Sequence, residues 1–451
     1  MNKNLVRLLF FLLIFSFNYS QALGQTYISK NDALADLELT QKWVRAVHYN
    51  PFFLTDSNNY NSVYNYTYKK IEEKDSIKIE EYTLNLMQFL TVINDAHTSI
   101  NLVSKALIPG LLNNTFFDYN VRFGDQPDIK IWSGADSNKS ILSINGVSYV
   151  ALYHESLSCF GGNYNFKKHI VESIFFPIFL HLKGIHSPYS LAFNDGSKSV
   201  YNSESGIKSI LASGGSKVPD YSFSILENNI GYLAYNSCND AKKFDAFLLE
   251  TFQEIAKKEV SKLVIDIRKN LGGNSSLNDK LLNYITTKPY RQSGSRYWKV
   301  SNIFKEKIVK QPYKSMWGKK FIKQYINAES GSILKEDDYS LTQPKSPKYF
   351  YSGQKCLLIG PQTFSSANFL ADATATYNLM PIIGKPTGEN TNDFGEQISL
   401  TLPNSNLQLQ VSIAYDIGAD GDQNRIETVD PTMYSVGDAL EYAIHWYNSN
   451  P

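Results

Sequence analysis

The distribution of apolar residues predicts an α/β protein whose second half is built on a mainly parallel sheet. Two observations carry this. After Asn229, strand-like and helix-like segments alternate, as in chains that wind helices over a sheet. Leu263-Val264-Ile265-Asp266-Ile267 is almost unbroken in apolar character, which suits a strand covered on both faces. The chain has 451 residues, 43% hydrophobic and 19% charged. At roughly 100–200 residues per domain, that length suggests two or three domains.

The elements follow in order. Residues 1–24 have a basic start at Lys3 and Arg7, an apolar core from Leu8 to Phe17 and small residues at Ala22 and Gly24. This is the pattern of a cleaved signal peptide, and the apolar run is too short to span a membrane comfortably. Export to a periplasm or the exterior is therefore expected, with no stable membrane span after cleavage. Residues 25–104 read as a helical segment. One helix covers 31–48, with Leu34, Leu37, Val44 and Val47 on one face. A second is capped by Asp75 or Ser76 and runs through Tyr82, Leu86, Phe89, Leu90 and Ile93. Its exit delivers Asn94-Asp95-Ala96-His97-Thr98. Residues 105–225 read as β-rich, with Asn145-Gly146 supplying a tight turn after the strand Ser140–Ile144.

From 226 to 451 the expected order is a strand at 230–235, a helix at 240–258 and the 263–267 strand. A helix at 277–285, a strand at 355–359, a helix at 365–377 and a strand at 380–383 follow. A hairpin turns around Pro403-Asn404-Ser405, and a last helix spans 436–447. Residues 287–350 are basic, aromatic and poorly periodic, and read as a surface insertion.

Charge and cysteines exclude several functions. Lys+Arg is 44 and Asp+Glu is 43, which argues against a nucleic-acid partner. Three cysteines, Cys159, Cys238 and Cys356, do not make a disulfide framework, and buried free thiols are preferred over a single bridge. Neither they nor His48, His154, His169, His181, His186 and His445 have metal-ligand spacing, so no metal and no cofactor is expected.

Two strand-to-helix junctions can carry chemistry. In Asp266-Ile267-Arg268-Lys269-Asn270-Leu271-Gly272-Gly273, a buried strand runs into a turn whose amides lack side-chain cover. In Gly360-Pro361-Gln362-Thr363-Phe364-Ser365-Ser366, Ser365 opens a helix, where a hydroxyl sits at the positive end of the dipole beside unpaired amides. An N-cap serine is the blander reading of Ser365; an acyl-transfer nucleophile is the sharper one.

These blocks, with Ile383-Gly384-Lys385-Pro386-Thr387-Gly388 and in this order and spacing, resemble the tail-specific (C-terminal processing) serine peptidases and their tricorn-core relatives over about residues 230–435. The resemblance extends upstream. Asp95-Ala96-His97-Thr98 is similar to an Asp-x-His-Thr segment of the His-dependent branch, and Ile141–Val147 resembles the core of a PDZ domain. It implies a ClpP-crotonase-like catalytic domain and an exported serine peptidase acting on peptides or proteins. The Lys of the processing branch is missing, because Asn390 stands there. The resemblance therefore implies Ser365 as nucleophile, His97 as base and Glu427 as the acid, with Gly272, Gly273 and Ser366 offering backbone N–H groups to the oxyanion. Asp266 and Arg268 are expected to be structural. A non-catalytic protein of the same fold, binding apolar ligands or peptides, is the alternative.

Overall fold

The computed structural model describes residues 26–118, 121–123, 129–131, 138–213, 218–337 and 340–449. The signal-like residues 1–24 lie outside the described residues.

Two sheets organise the second half. The first has six strands in the order Tyr221–Ile225, Ile230–Tyr235, Lys262–Asp266, Gln354–Ile359, Ile382–Gly384 and Met433–Tyr434. Its first pair is antiparallel and every later pair is parallel. Helices Ala241–Lys257, Ser276–Ile285 and Ser366–Thr376 contribute Phe244, Phe252, Leu281, Leu282 and Leu370 to the core on one face. Helix Ala439–Ser449 packs Ala443 and Tyr447 against Val264, Cys356 and Leu358 on the other. Both faces are thus covered, which is why Lys262–Asp266 is apolar on both sides of the pleat. All three cysteines are free and buried.

The second sheet is antiparallel, in the order Ile333–Asp337, Ser295–Lys299, Gln408–Ile417 and Asp393–Thr401, with Ser99–Asn101 pairing onto Gln408–Gln410. The segment read as a surface insertion supplies two of these strands and the short helices Asn302–Ile308, Tyr313–Met316 and Lys319–Asn327. Trp298, Phe304 and Tyr325 are buried in the main core. A two-strand contribution separated by short helices gives no sustained period, so the pattern hid it.

The first hundred residues hold helices Lys30–Val47, Ser57–Glu72 and Ile79–Leu90. The middle helix was not anticipated: Tyr60, Thr67 and Ile71 are its buried positions, a thin apolar stripe among Asn, Ser and Lys. Ser76, read as a cap, begins the strand Ser76–Lys78. Residues 138–213 carry a four-stranded antiparallel sheet, ordered 147–148, 141–144, 189–193 and 198–201, with Asn145 and Gly146 at positive φ in its turn.

The N-terminal helices grip the second sheet. Asp36 is fully buried, and its carboxylate accepts from the Ser405 N–H at 2.7 Å and the Asn404 side-chain amide at 3.0 Å, fixing the hairpin tip. Removing a buried charged acceptor strands its donors, at roughly 1.5–3 kcal/mol per bond. Asp36→Ala should therefore destabilise the hairpin tip by about 2 kcal/mol or more. Faster hydrogen exchange at the Ser405 and Leu407 amides, relative to Val264, would register it; unchanged exchange would show the tip to be held by other contacts.

Candidate active site

The two junctions singled out in the sequence meet at the ends of adjacent parallel strands. Asn270, fully buried, joins them. Its side-chain amide donates to the Tyr235 carbonyl at 2.9 Å, its side-chain oxygen accepts from the Gly272 N–H at 2.9 Å, and its carbonyl accepts from the Phe364 N–H at 3.1 Å. Thr363 completes the junction: its hydroxyl donates to the Ile267 carbonyl and accepts from the Gly360 N–H, each at 3.1 Å. The Asn and Thr of the two motifs are thus the fasteners of one turn pair. Asp266 and Arg268 are structural as expected. Arg268 is held to Asp266 at 2.7 Å and to Asp438 at 3.0 Å, anchoring the start of the last helix.

Ser365 precedes helix Ser366–Thr376 with φ 53° and ψ −126°. A non-glycine residue held there costs on the order of 1–3 kcal/mol, and such strain at a strand-to-helix turn presents a nucleophile's side chain. Its side chain caps no helical N–H, so the N-cap reading fails. The Ser366 hydroxyl donates to the Gly273 carbonyl at 2.6 Å and is a tether between the two turns.

His97 arrives from the N-terminal segment. It is 6% exposed, and its ring lies 4.8 Å from that of Phe364, the neighbour of Ser365. His97 and Ser365 line one cavity of about 270 Å³, together with Gly273, Ser366, Arg296, Glu389, Asp393 and Asp416 among others.

The expected acid is not there. Glu427 points to the surface, its side chain 67% exposed and held 3.1 Å from Arg425, which also binds Asp372 and Asp420. That cation draws Glu427 away from the cavity. The carboxylate that meets His97 is Glu389, 4% exposed, with one oxygen 3.6 Å from His97 Nδ1 and the other accepting the Ser365 backbone N–H. His97 Nδ1 is buried with no hydrogen bond of its own, so a small ring or carboxylate shift would close one to Glu389. Glu389 sits inside the Thr387-Gly388-Glu389-Asn390 block. In the sequence this block stands out for the Lys missing at position 390; the acid one residue earlier is the signal that points to the carboxylate. Its loop is tied to that of Ser365 by the Gly388 N–H donating to the Thr363 carbonyl at 3.1 Å.

The oxyanion donors also change. The Gly272 N–H is engaged by Asn270, whereas no hydrogen bond among the described residues engages the N–H of Gly273 or Ser366. Gly272 has a different duty. It has φ +94°, and a Cβ there would lie 2.6 Å from the Ser365 Cβ and 2.8 Å from the Ser366 nitrogen.

Electrostatically, the cavity carries an excess of acid. Burial lowers the His97 pKa below the ordinary histidine value, though Asp95 and Asp416 oppose this. Burial, and then the charge of Asp393, hold Glu389 well above the carboxylate range, while Asp393 itself is pushed up to about 8, first by burial and then by Asp95. Arg296 balances Asp416 at 2.5 Å and Glu396 at 2.9 Å. Among the described residues no group of His, Cys, Asp and Glu could hold a metal ion, and no helix is long and apolar enough to cross a membrane.

Gly272→Ala should abolish labelling of the purified, folded protein by a fluorophosphonate, because the added methyl displaces Ser365. Labelling at the wild-type rate would mean that the turn relaxes without moving Ser365.

Residues 229–435 match the model of peptidase family S41. No curated protein matches the chain by sequence. Among solved structures, a CPAF mutant is similar at 14% identity and TM-score 0.61, covering 93% of this chain and 96% of that one. Mature CPAF complexed with lactacystin is similar at 13% identity and TM-score 0.57, covering 93% and 97%. At such identities these likenesses speak for the fold. Family match, fold and motif order together set aside the binding-protein alternative: the chain is a serine-type peptidase, and its residues 229–435 are those of the tail-specific, C-terminal processing peptidases.

Proposed function

We propose that this peptidase is exported and hydrolyses peptide bonds of peptide or protein substrates through an acyl-enzyme on Ser365. His97 is the general base and Glu389 the carboxylate that orients it. The domain plan that goes with this is a signal peptide at 1–24, a helical segment at 25–104, a β-rich domain at 105–225 and a catalytic domain at 226–451. The observation that carries the catalytic reading is the position of Glu389, whose two oxygens address the Ser365 backbone and the His97 ring in one buried cavity.

The chemistry follows from the groups present. With Nδ1 turned to Glu389, the His97 Nε2 is left to take the Ser365 proton as Oγ attacks the scissile carbonyl. A neutral imidazole is required, and burial keeps His97 neutral at neutral pH. The tetrahedral oxyanion would be received by the N–H groups of Gly273 and Ser366, the latter at the start of a helix. Imidazolium then returns the proton to the leaving amine, and water repeats the sequence on the acyl-enzyme.

Ser365→Ala should lose hydrolysis by about 10⁴-fold or more with the fold intact. Glu389→Gln should lower kcat by about 10²–10⁴-fold, since the amide favours the wrong tautomer of His97. Glu427→Gln should stay within about twofold, as a solvated surface acid does little. Steady-state kinetics on a peptide substrate separates the two acids, and a Glu427→Gln loss as deep as that of Glu389→Gln would overturn this assignment.

The pH profile offers a second test. His97 works with an ionised Glu389, and Glu389 ionises late because it is buried and beside Asp393. Activity should rise with pH as Glu389 loses its proton. Asp393→Asn removes the neighbouring negative charge, lowers the Glu389 pKa and should move the acid limb of kcat/KM to lower pH. An unmoved limb would assign it to another group.

A further inference from the structure

We propose that Phe166, from the segment between the N-terminal helices and the catalytic sheet, is a positioning residue for His97 that acts through Phe364. The inference rests on His97 being the base. Phe166 lies in helix Tyr164–Ile170, and its ring stacks on Phe364 at 4.5 Å and 19°. Phe364 stands between two rings, with His97 tilted against it at 4.8 Å and 32°. Phe364 cannot move without disturbing Ser365, to which it is directly bonded in the chain. Phe166 therefore fixes the surface on which the imidazole lies and its height relative to the nucleophile.

The same short stretch holds the loop that carries His97. Asn94, at φ 56°, accepts from the Gly162 N–H at 3.1 Å and from Lys167 Nζ at 3.2 Å. Gly161 lies so close to the Asp95 backbone that a side chain there would collide with its carbonyl oxygen. His169 contacts Gln362 on the nucleophile's loop, and the Phe166 Cβ faces Gly388 in the loop of Glu389. Segment 161–169 thus touches the loops of all three groups, although neither Phe166 nor any other of its residues lines the cavity. A contact on three loops with no share of the cavity wall suits geometry rather than substrate binding. Displacing a base by about 1 Å can cost about 10²-fold in rate.

The test uses the full chain and a peptide substrate. Phe166→Leu keeps apolar volume but loses the flat face; Phe166→Tyr keeps it. Phe166→Leu should lower kcat by about 10–100-fold with KM within about threefold, and should slow fluorophosphonate labelling in proportion. Phe166→Tyr should stay within about threefold of wild type. A wild-type kcat in Phe166→Leu overturns the proposal, as does an equal loss in both variants or a change confined to KM. Wild-type labelling that vanishes in Ser365→Ala tests the underlying catalytic reading separately, so the two can fail independently.

Discussion

The buried carboxylate of Asp95 is the interaction on which the active site depends. It accepts from the His97 N–H at 2.8 Å, from Thr98 at 2.5 Å, from Ser412 of strand Gln408–Ile417 at 2.6 Å, and pairs with His48 Nε2 at 3.2 Å. Burial alone would push its pKa up, but His48, His97 and Ser412 outweigh burial and bring it down to about 2. An ionised, fully buried carboxylate is tolerable only when its acceptor capacity is filled. Here the groups that fill it come from the N-terminal helix end, the loop of His97 and the second sheet. Satisfying one charge therefore assembles parts that are remote in the chain.

The same logic explains why Ser365 and His97, the proposed nucleophile and base, need so many supports. Ser365 is held in a sparsely populated backbone conformation, which persists only because Asn270, Thr363, Gly272 and Glu389 over-determine its turn. His97 has no hydrogen bond to its buried Nδ1 and relies on packing against Phe364 for its orientation. The turns at the edge of the site are closed by hydrogen bonds, and a short gap between His97 and Glu389 lies at its centre.

The second sheet has an active part in this. It supplies Ser412 to Asp95, and it brings Arg296, Asp393 and Asp416 to the cavity wall. Arg296 neutralises two of the acids, so the surplus falls on Asp393 and Glu389, both of which are pushed toward the protonated form.

Much of this was legible in the chain. The alternation after Asn229, the doubly apolar strand at 263–267 and the order of the Gly-Gly turn and the Thr-x-Ser helix start are local facts. They determined the sheet, its helices and the place of Ser365, because strand, turn and cap preferences act over a few residues. Asp95-Ala96-His97-Thr98 was legible only through resemblance. Which acid meets His97 was not local at all. Glu389 and Glu427 are both acids in family-like blocks. The choice between them fell to Arg425, which holds Glu427 at the surface, and to the Gly388–Thr363 bond, which turns Glu389 inward. The two-stranded contribution of 287–350 was likewise invisible, since an edge pairing has meaning only when its partner strand is in place. By itself the sequence determined that a serine opens a helix just after a buried strand. The tertiary structure decided what stands beside that serine, because burial and ion pairing between distant segments set the direction of each charged side chain.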